Sequence, residues 1–347
     1  MQHKKLSFFI VSVMIFGIIL TACTGGSGAD KVCVVLDTGG ENDKSFNEFT
    51  LKGARDAAEE KGLDFAHIVS EASSDYEKNI DNFVSEGCGM IVTVGFLMGD
   101  ATAAAAQANP DVSFAIVDVA YFPGFGCDEN VSDCYTEEGG FSNVTSLMFA
   151  EDEVGYLAGT LAGCMSQTGV IGSVSGMEIP PVVRFVEGYQ NGARAQNPDI
   201  ETLNVYIPDF NDPTTGKQAG ETQISEGADV IFGVGGNTGN GGLLAAHEAG
   251  LWGVGVDVDQ YSTYPEVASS LITSAAKNMD VSTGDAVRAY ADGNLAAGIN
   301  LATVENGGVG LAPYHDQDGQ ISAECKAAVD EARDGLASGS LSTGYNP

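Results

Sequence analysis

Short, uniformly apolar runs recur along the chain and alternate with longer stretches of helical character. The first half contains the runs VCVVL, MIVTV and FAIV, and the second half contains VIGSV, VIFGV and GVGV. A strand that is apolar at every position is typical of a parallel sheet covered on both faces. Residues 47–61 and 100–108 fit the helices that connect such strands. The pattern therefore predicts an α/β protein with parallel sheets.

The two halves of the chain repeat the same order of features. Residues 85–96 (SEGCGMIVTVGF) align without a gap with residues 225–236 (SEGADVIFGVGG). In each half an alanine-rich helix and a strand ending in aspartate follow, with Asp118 and Asp257 at the strand ends. Upstream, Phe46 and Phe185 each precede a Gly-Ala-Arg triplet by the same spacing. We therefore predict two similar lobes, each a doubly wound parallel sheet.

The repeat also predicts where a ligand binds. In an open parallel sheet, ligands bind outside the carboxyl ends of the strands. In the first lobe these ends carry Asp37, residues 95–99 and Asp118, and in the second lobe they carry Phe210, residues 235–239 and Asp257. The cleft between the lobes is therefore the expected site.

Residues 1–22 have the features of an export signal. Lys4 and Lys5 precede an apolar run over residues 6–20, which is short for a membrane-spanning helix of about 20 residues, the alternative interpretation. The following Leu20-Thr21-Ala22-Cys23 resembles the bacterial lipobox, in which cleavage leaves a lipid-modified cysteine. We expect a lipid on Cys23, a flexible tether over residues 23–30, and a protein held on the extracytoplasmic side of the membrane.

The formal net charge of −33 limits the choice of partners. Removal of residues 1–22 leaves 13 basic and 48 acidic residues, which gives a charge of −35. Such an excess disfavours nucleic acid and anionic membrane surfaces as binding partners. We expect a monomer that contacts the membrane through the lipid on Cys23.

Six cysteines follow Cys23, an even number that permits three disulfides in an exported chain. Cys127 and Cys134 are the expected pair, because both lie in one polar, glycine-containing loop. The pairing of the others stays open, as does the alternative of buried free thiols; they are Cys33, Cys88, Cys164 and Cys325. No Cys-x-x-Cys occurs, which disfavours zinc and redox sites.

Several short motifs occur in the order that is typical of one family of lipoproteins. They are DTGG from Asp37, DKSFN from Asp43, YLAG from Tyr156, GYQNGA from Gly188, FNDP from Phe210, GVGGNTG from Gly233, GVDVDQ from Gly255 and TSAAKN from Thr273. Together, over about residues 34–326, they resemble the basic membrane protein (BMP or PnrA-like) family of purine-nucleoside receptors.

The resemblance implies a type I periplasmic-binding-protein fold, in which three crossover segments join the two lobes. We place the crossings near Thr145, Ser274 and Glu305. The first lobe then comprises residues 31–145 and 275–305, and the second comprises residues 146–274 and 306–347. The family serves importers of the ATP-binding cassette (ABC) class. It therefore implies a permease and an ATPase as partners and a purine nucleoside (inosine, guanosine or adenosine) as ligand.

The aromatic and acidic candidates suit a nucleoside. Phe46 and Phe210 can stack on the base from opposite lobes, although Phe185 competes with Phe210 as the repeat counterpart of Phe46, and any of these rings can belong to the core. Asp118 and Asp257 can accept hydrogen bonds from ribose hydroxyls. Their alternative role is to cap the amides of the following loops.

Five further residues complete the candidate site. The resemblance assigns Asp37 to the ribose or the base. Ser45 and Asn47 can read base edges or cap the helix that begins there. Lys277 can donate to a ribose oxygen or to a carboxylate such as Asp257, with a structural salt bridge as the alternative. Gly235 allows the backbone to approach the ligand closely.

Motifs for phosphate binding and catalysis are missing from the sequence. Residues 233–242 (GVGGNTGNGG) match neither the P-loop nor the dinucleotide pattern. Residues 172–176 (GSVSG) place Val174 where a nucleophile elbow requires serine. We predict binding without catalysis, with no cofactor and no metal. A receptor that reports a sugar or signalling molecule to a sensor, and an exported nucleosidase or hydrolase, are the alternatives.

Overall fold

The structure, a computed structural model, describes residues 30–136 and 139–346. Its strands are, in chain order, β1 (Lys31–Leu36), β2 (Asp64–Val69), β3 (Met90–Val94), β4 (Ser113–Val117), β5 (Phe122–Pro123), β6 (Gly126–Cys127), β7 (Val144–Phe149), β8 (Val170–Ser175), β9 (Glu201–Tyr206), β10 (Val230–Val234), β11 (Trp252–Asp257), β12 (Leu271–Lys277), β13 (Gly298–Ala302) and β14 (Val309–Leu311).

Helices connect these strands in both halves of the chain. They are α1 (Phe46–Lys61), α2 (Tyr76–Ser85), α3 (Gly99–Ala108), α4 (Glu151–Met165), α5 (Pro180–Gln196), α6 (Pro213–Ser225), α7 (Gly236–Glu248), α8 (Gln260–Thr263), α9 (Met279–Ala291) and α10 (Ala323–Ala337). Helix α1 packs on α9 in the first lobe, and α4 packs on α5 in the second.

The two large sheets have matching strand orders. The first lobe contains β13-β7-β4-β3-β1-β2, and the second contains β14-β12-β11-β10-β8-β9. All neighbours pair in parallel except β12 and β14, which are antiparallel. The central strands are buried along almost their whole length, as the apolar runs predict. The predicted α/β fold with two doubly wound lobes is confirmed.

The chain leaves each lobe later than the sequence predicts. Strand β7 pairs with β4 and β13 as far as Phe149, so Thr145 lies inside the first sheet. Strand β12 continues in the second sheet to Lys277, beyond the crossing expected near Ser274. Both crossings therefore lie later in the chain than expected, because strand pairing continues past Thr145 and Ser274. The third crossing joins β13 to β14, and Glu305 lies between these strands.

Three disulfides tie the lobes internally. Cys127 pairs with Cys134, as predicted. The pairs that the sequence left open are Cys33–Cys88 and Cys164–Cys325. Cys33–Cys88 joins β1 to the turn before β3, and Cys164–Cys325 joins α4 to α10. Within each lobe, elements distant in sequence are thus linked covalently.

Candidate ligand-binding site

The carboxyl ends of both sheets build matching turns. Gly95 after β3 and Gly235 after β10 have φ angles of 110° and 102°. Asp118 after β4 and Asp257 at the end of β11 have φ angles of 65° and 66°. A positive φ is uncommon for a residue other than glycine. Its occurrence at both aspartates shows that the two lobes use the same local geometry to present these carboxylates.

A cavity lies between the lobes at these strand ends. The space among its lining atoms, including its mouth, is about 530 Å³. Its polar side chains are Asp37, Asp43, Asn47, Asp118, Asp257 and Lys277. Its apolar side chains are Phe46, Phe96, Ile179, Pro181, Val182, Phe185, Phe210, Val234 and Val256, and glycines that include Gly235 complete the wall.

The cavity wall includes every predicted ligand-binding residue except Ser45. Ser45 is buried at the start of α1, and its hydroxyl forms no side-chain cap. Its Oγ has no hydrogen-bond partner among the described residues. Ser45 therefore neither lines the cavity nor caps α1 through its side chain, and its contact with a base stays a prediction.

Asp37 and Asn47 form one hydrogen-bonded pair. Asp37 Oδ1 accepts from the Gly39 backbone at 2.8 Å and from Asn47 Nδ2 at 2.8 Å. Burial raises the pKa of Asp37, and these two donors oppose the rise. The Asn47 Oδ1 atom is buried without a partner in the described structure. The pair therefore presents acceptor oxygens to the cavity.

Asp43 is a site residue to which sequence reasoning assigned no role, although it lies in the DKSFN motif. Its carboxylate accepts backbone N–H groups of Ser45, Asn47 and Glu48 at 3.0, 2.8 and 3.2 Å. Burial raises the pKa of Asp43 to about 6, and these bonds limit the rise. Asp43 thus fixes the first turn of α1, which carries Phe46.

Lys277 is the buried cation of the site. Its Nζ donates to Asp118 Oδ1 and Oδ2 at 2.9 and 2.7 Å and to Glu151 Oε1 at 3.1 Å. Arg184 Nε donates to Glu151 Oε2 at 2.7 Å. Lys277 therefore donates to a strand-end carboxylate, as one of the sequence alternatives expected. That carboxylate is Asp118, from the other lobe, and not the suggested Asp257, which forms no hydrogen bond with Lys277.

Aromatic rings surround the same ammonium group. Lys277 Nζ lies 4.9 Å from the ring centre of Phe46, 5.0 Å from that of Phe149 and 5.7 Å from that of Phe185. Burial alone would lower the pKa of Lys277, but Asp118 and Glu151 raise it above its usual value. Lys277 is therefore held charged although it is buried.

The three acidic groups near Lys277 are in unequal environments. Burial would raise the pKa of Glu151, but Lys277 and Arg184 together lower it. Burial raises the pKa of Asp118 to about 6, with Lys277 limiting the rise. Burial raises the pKa of Asp257 to about 7, and within the described residues its carboxylate accepts no hydrogen bond. Asp257 therefore has free acceptor capacity in the cavity.

Phe210 and Phe185 are in different environments. Phe185 is 3% exposed and packs edge-on against Phe232, with ring centres 6.0 Å apart. Phe210 is half-buried, and its ring packs against the backbone of Gly176. A Cβ at Gly176 would come within 2.4 Å of this ring, so only glycine allows the contact. Phe185 thus belongs mainly to the core, whereas Phe210 is free to present its ring to a ligand.

The lobes touch each other across the mouth of the cleft. Asn240 Nδ2 donates to the Asp43 carbonyl at 3.1 Å, and Thr263 Oγ1 donates to the Lys44 carbonyl at 2.8 Å. The Lys44 ammonium lies 4.0 Å from the ring centre of Tyr264. These contacts hold the loop before Phe46 against the second lobe, so the structure shows the closed arrangement.

The family assignment follows from comparison with known proteins. The family described as ABC transporter substrate-binding protein PnrA-like matches residues 30–333. The chain belongs to this family. The resemblance inferred from the motifs is thereby confirmed, and the matched region contains every candidate ligand-binding residue.

Individual relatives agree with the family assignment. The chain is 30% identical to the ABC transporter nucleoside-binding protein BmpA of Lactococcus lactis subsp. cremoris, over 90% of this chain and 88% of that protein. It is 31% identical to basic membrane protein B of Borreliella burgdorferi, over 80% and 79%. An ABC transporter solute-binding protein from Aeropyrum pernix K1 superposes with a TM-score of 0.79 at 27% identity, over 90% and 92% of the two chains.

The described residues contain no helix that is both long and apolar enough to cross a membrane. Cys23, the residue expected to carry a lipid, lies outside the described residues, as does the export signal.

Proposed function

We propose that this chain is a lipid-anchored receptor that captures a nucleoside between its lobes, prefers a purine base, and delivers the ligand to an ABC transporter. One observation carries the proposal. A single closed cavity combines Phe46 and Phe210, contributed by opposite lobes, with the free carboxylate of Asp257. This set matches a ligand with a flat aromatic part and hydroxyl donors.

The base is proposed to stack between Phe46 and Phe210. Base–aromatic stacking contributes about 1–3 kcal/mol per base. Beside Phe46, the Asn47 Oδ1 atom has no partner among the described residues. An acceptor in this position suits the ring N–H of inosine or guanosine, which supports the preference for a purine.

The ribose is proposed to bind at the strand-end aspartates. Hydroxyl donors form strong hydrogen bonds with an ionised carboxylate, and Asp257 has acceptor capacity to spare. Asp118 is bonded to Lys277 on both oxygens, so it holds the cation in place and contacts the ligand through remaining lone pairs. A phosphate group is disfavoured, because Asp37, Asp43 and Asp257 line the same cavity.

Delivery of the ligand to a transporter and attachment to the membrane are supported by observations outside the cavity. The family match supports a transporter as partner, and the lipobox-like Leu20-Thr21-Ala22-Cys23 supports attachment to the membrane. A sensor as partner instead of an importer is the competing proposal. The genes that neighbour this one distinguish the two proposals, because a permease pair and an ATPase support the importer and a kinase or regulator supports the sensor.

Calorimetry tests the ligand assignment. The full chain, solubilised in detergent, is titrated with inosine, guanosine, adenosine, ribose and the free bases, and the ligand is afterwards recovered and analysed. We expect nucleosides to bind more tightly than ribose or base alone and to be recovered intact. Binding of a free sugar without any nucleoside binding would contradict the assignment, and recovery of free base and ribose would favour the hydrolase.

A further inference from the structure

Phe96 is an aromatic wall of the cavity to which no role has been assigned. It follows Gly95 directly, begins a short 3-10 helix (Phe96–Met98) and is half-buried. In the alignment of the two lobes its counterpart is Gly236, which presents no side chain. The lobes therefore differ at this position, although both preceding glycines have a positive φ.

The outer face of Phe96 is covered by a second ring. The Phe125 ring centre lies 6.5 Å from that of Phe96, and the two planes are inclined by 22°. Both values are typical of a stacked aromatic pair. Phe125 also lies on Gly99, where a Cβ would come within 3.1 Å of its Cζ atom. Phe125 thus backs the segment that carries Phe96.

A disulfide loop, residues 119–136, holds Phe125 in this position. Phe125 lies two residues before Cys127, which is bonded to Cys134. The Gly126 carbonyl accepts a hydrogen bond from Gln107 Nε2 on α3 at 2.8 Å. The loop is therefore fixed directly after Phe125, covalently within itself and by a hydrogen bond to the lobe.

Tyrosines attach the same loop to the lobe. Tyr121 Oη donates to the Gly99 carbonyl at 2.8 Å, and the Tyr121 backbone N–H donates to Tyr135 Oη at 2.8 Å. Tyr135 Oη is in turn 2.6 Å from Ser146 Oγ on β7. These bonds reach Gly99, directly after the 3-10 helix that Phe96 begins, and connect the loop to the sheet.

We propose that Phe96 is a third aromatic contact for the ligand and that the Cys127–Cys134 loop positions it through Phe125. The proposal rests on the proposed nucleoside ligand. The Phe96 ring is already held in place, so it loses little conformational freedom when the ligand binds. Phe125 and its loop therefore improve affinity without touching the ligand. Reduction of this one disulfide then weakens binding while the lobe stays folded.

Calorimetry with inosine tests the contact. We expect Phe96→Ala, Phe125→Ala and the double variant C127S/C134S each to weaken binding about three- to tenfold, as the loss of one aromatic pair predicts.

Two control variants remove a disulfide and a phenylalanine ring elsewhere in the protein. Cys164–Cys325 lies in the other lobe, and Phe65 is a half-buried ring on β2 outside the cavity wall. C164S/C325S and Phe65→Ala are expected to leave affinity unchanged.

A double-mutant cycle separates positioning from a general loss of stability. In the Phe96→Ala background, C127S/C134S is expected to cause no further loss of affinity, because the ring that the loop supports is gone. An equal loss with and without Phe96 would overturn the positioning role.

Hydrogen exchange of the ligand-free chain provides a readout that does not depend on the ligand. We expect the amides of residues 96–99 to exchange faster in C127S/C134S and Phe125→Ala than in wild type or either control. Unchanged exchange would overturn the support by the loop. If exchange rises as expected but no nucleoside binds to the wild type, the proposed function fails and the support by the loop stands.

Discussion

The two lobes present the same strand-end turns with different side chains. Gly95 is followed by Phe96, whose side chain lines the cavity. Gly235 is followed by Gly236, which has no side chain, and Phe210 from another segment lies against it. A Cβ on Gly236 would come within 2.9 Å of the Phe210 carbonyl. The repeat thus supplies similar strand ends, and the different residues at equivalent positions make the cleft asymmetric.

The aspartates show the same contrast. Asp118 and Asp257 have almost identical φ angles. Asp118 is paired with Lys277, whereas Asp257 accepts no hydrogen bond within the described part of the chain. Equivalent positions in a repeat therefore acquire different chemistry, because only one of them faces the cation.

Replacement of Lys277 has the largest expected effect on this contrast. Lys277→Met leaves Asp118 and Glu151 buried without their shared cation, and loss of one partner of a buried ion pair costs about 3–5 kcal/mol. We expect the free energy of unfolding, measured with urea, to fall by that order and nucleoside binding to be lost. Lys52→Met is the control, because Lys52 is 53% exposed in its pair with Asp56. Equal stability of the two variants would contradict the account.

Alanine substitution of Phe46, Phe210 and Phe185 tests which aromatic rings of the two lobes bind the ligand and which belong to the core. Phe46→Ala and Phe210→Ala each remove a proposed stacking face and are expected to weaken nucleoside binding by about 1–3 kcal/mol. Phe185→Ala is expected to reduce the free energy of unfolding by about 3–5 kcal/mol, because its ring is core. Calorimetry and urea unfolding on all three separate these effects. A greater loss of affinity in Phe185→Ala than in Phe210→Ala would exchange their roles.

The pH dependence of binding tests the free carboxylate. Ribose hydroxyls favour ionised Asp257, whose pKa is raised by burial to about 7. Affinity is therefore expected to fall about tenfold for each pH unit below 7, since one pKa unit corresponds to about 1.4 kcal/mol. Asp257→Asn should flatten this dependence, whereas Asp199→Asn, on the exposed surface of the same lobe, should not. An identical pH profile for wild type and Asp257→Asn would reject the role.

The same group affects the stability of the ligand-free protein. The folded state binds a proton at Asp257 up to about pH 7, whereas the ordinary value for aspartate is 3.8. The resulting stabilisation is present below about pH 4 and is lost as pH rises through 7. We expect a shallower decline of the free energy of unfolding between pH 4 and 7 in Asp257→Asn than in wild type. Parallel urea curves across this range would contradict the raised pKa.

Much of the fold follows from local pattern. Runs that are apolar at every position indicated the central strands, and the repeat at residues 85–96 and 225–236 indicated two lobes. The crossings were less predictable, because Thr145 and Ser274 lie in strands whose ends depend on pairing with β13 and β14. Partner strands that come much later in the sequence leave no signal near the crossing.

The candidate site was predictable where it depends on strand ends and not where it depends on closure. Asp37, Asp118 and Asp257 follow from the rule for parallel sheets. Glu151 did not, since an acid in the first turn of a helix is common and needs no buried partner. A strand-end carboxylate was expected as the partner of Lys277, but the choice of Asp118 over Asp257 was not predictable, because Asp118 lies in the other lobe and no distance in the sequence encodes its approach.

A crystal structure of the chain bound to inosine tests the central claim most directly. The account predicts the purine ring between Phe46 and Phe210, and the ribose hydroxyls within hydrogen-bond distance of the Asp257 carboxylate. An inosine bound outside the cleft, or one whose ribose lies against the aromatic rings with its base on Asp257, would contradict it.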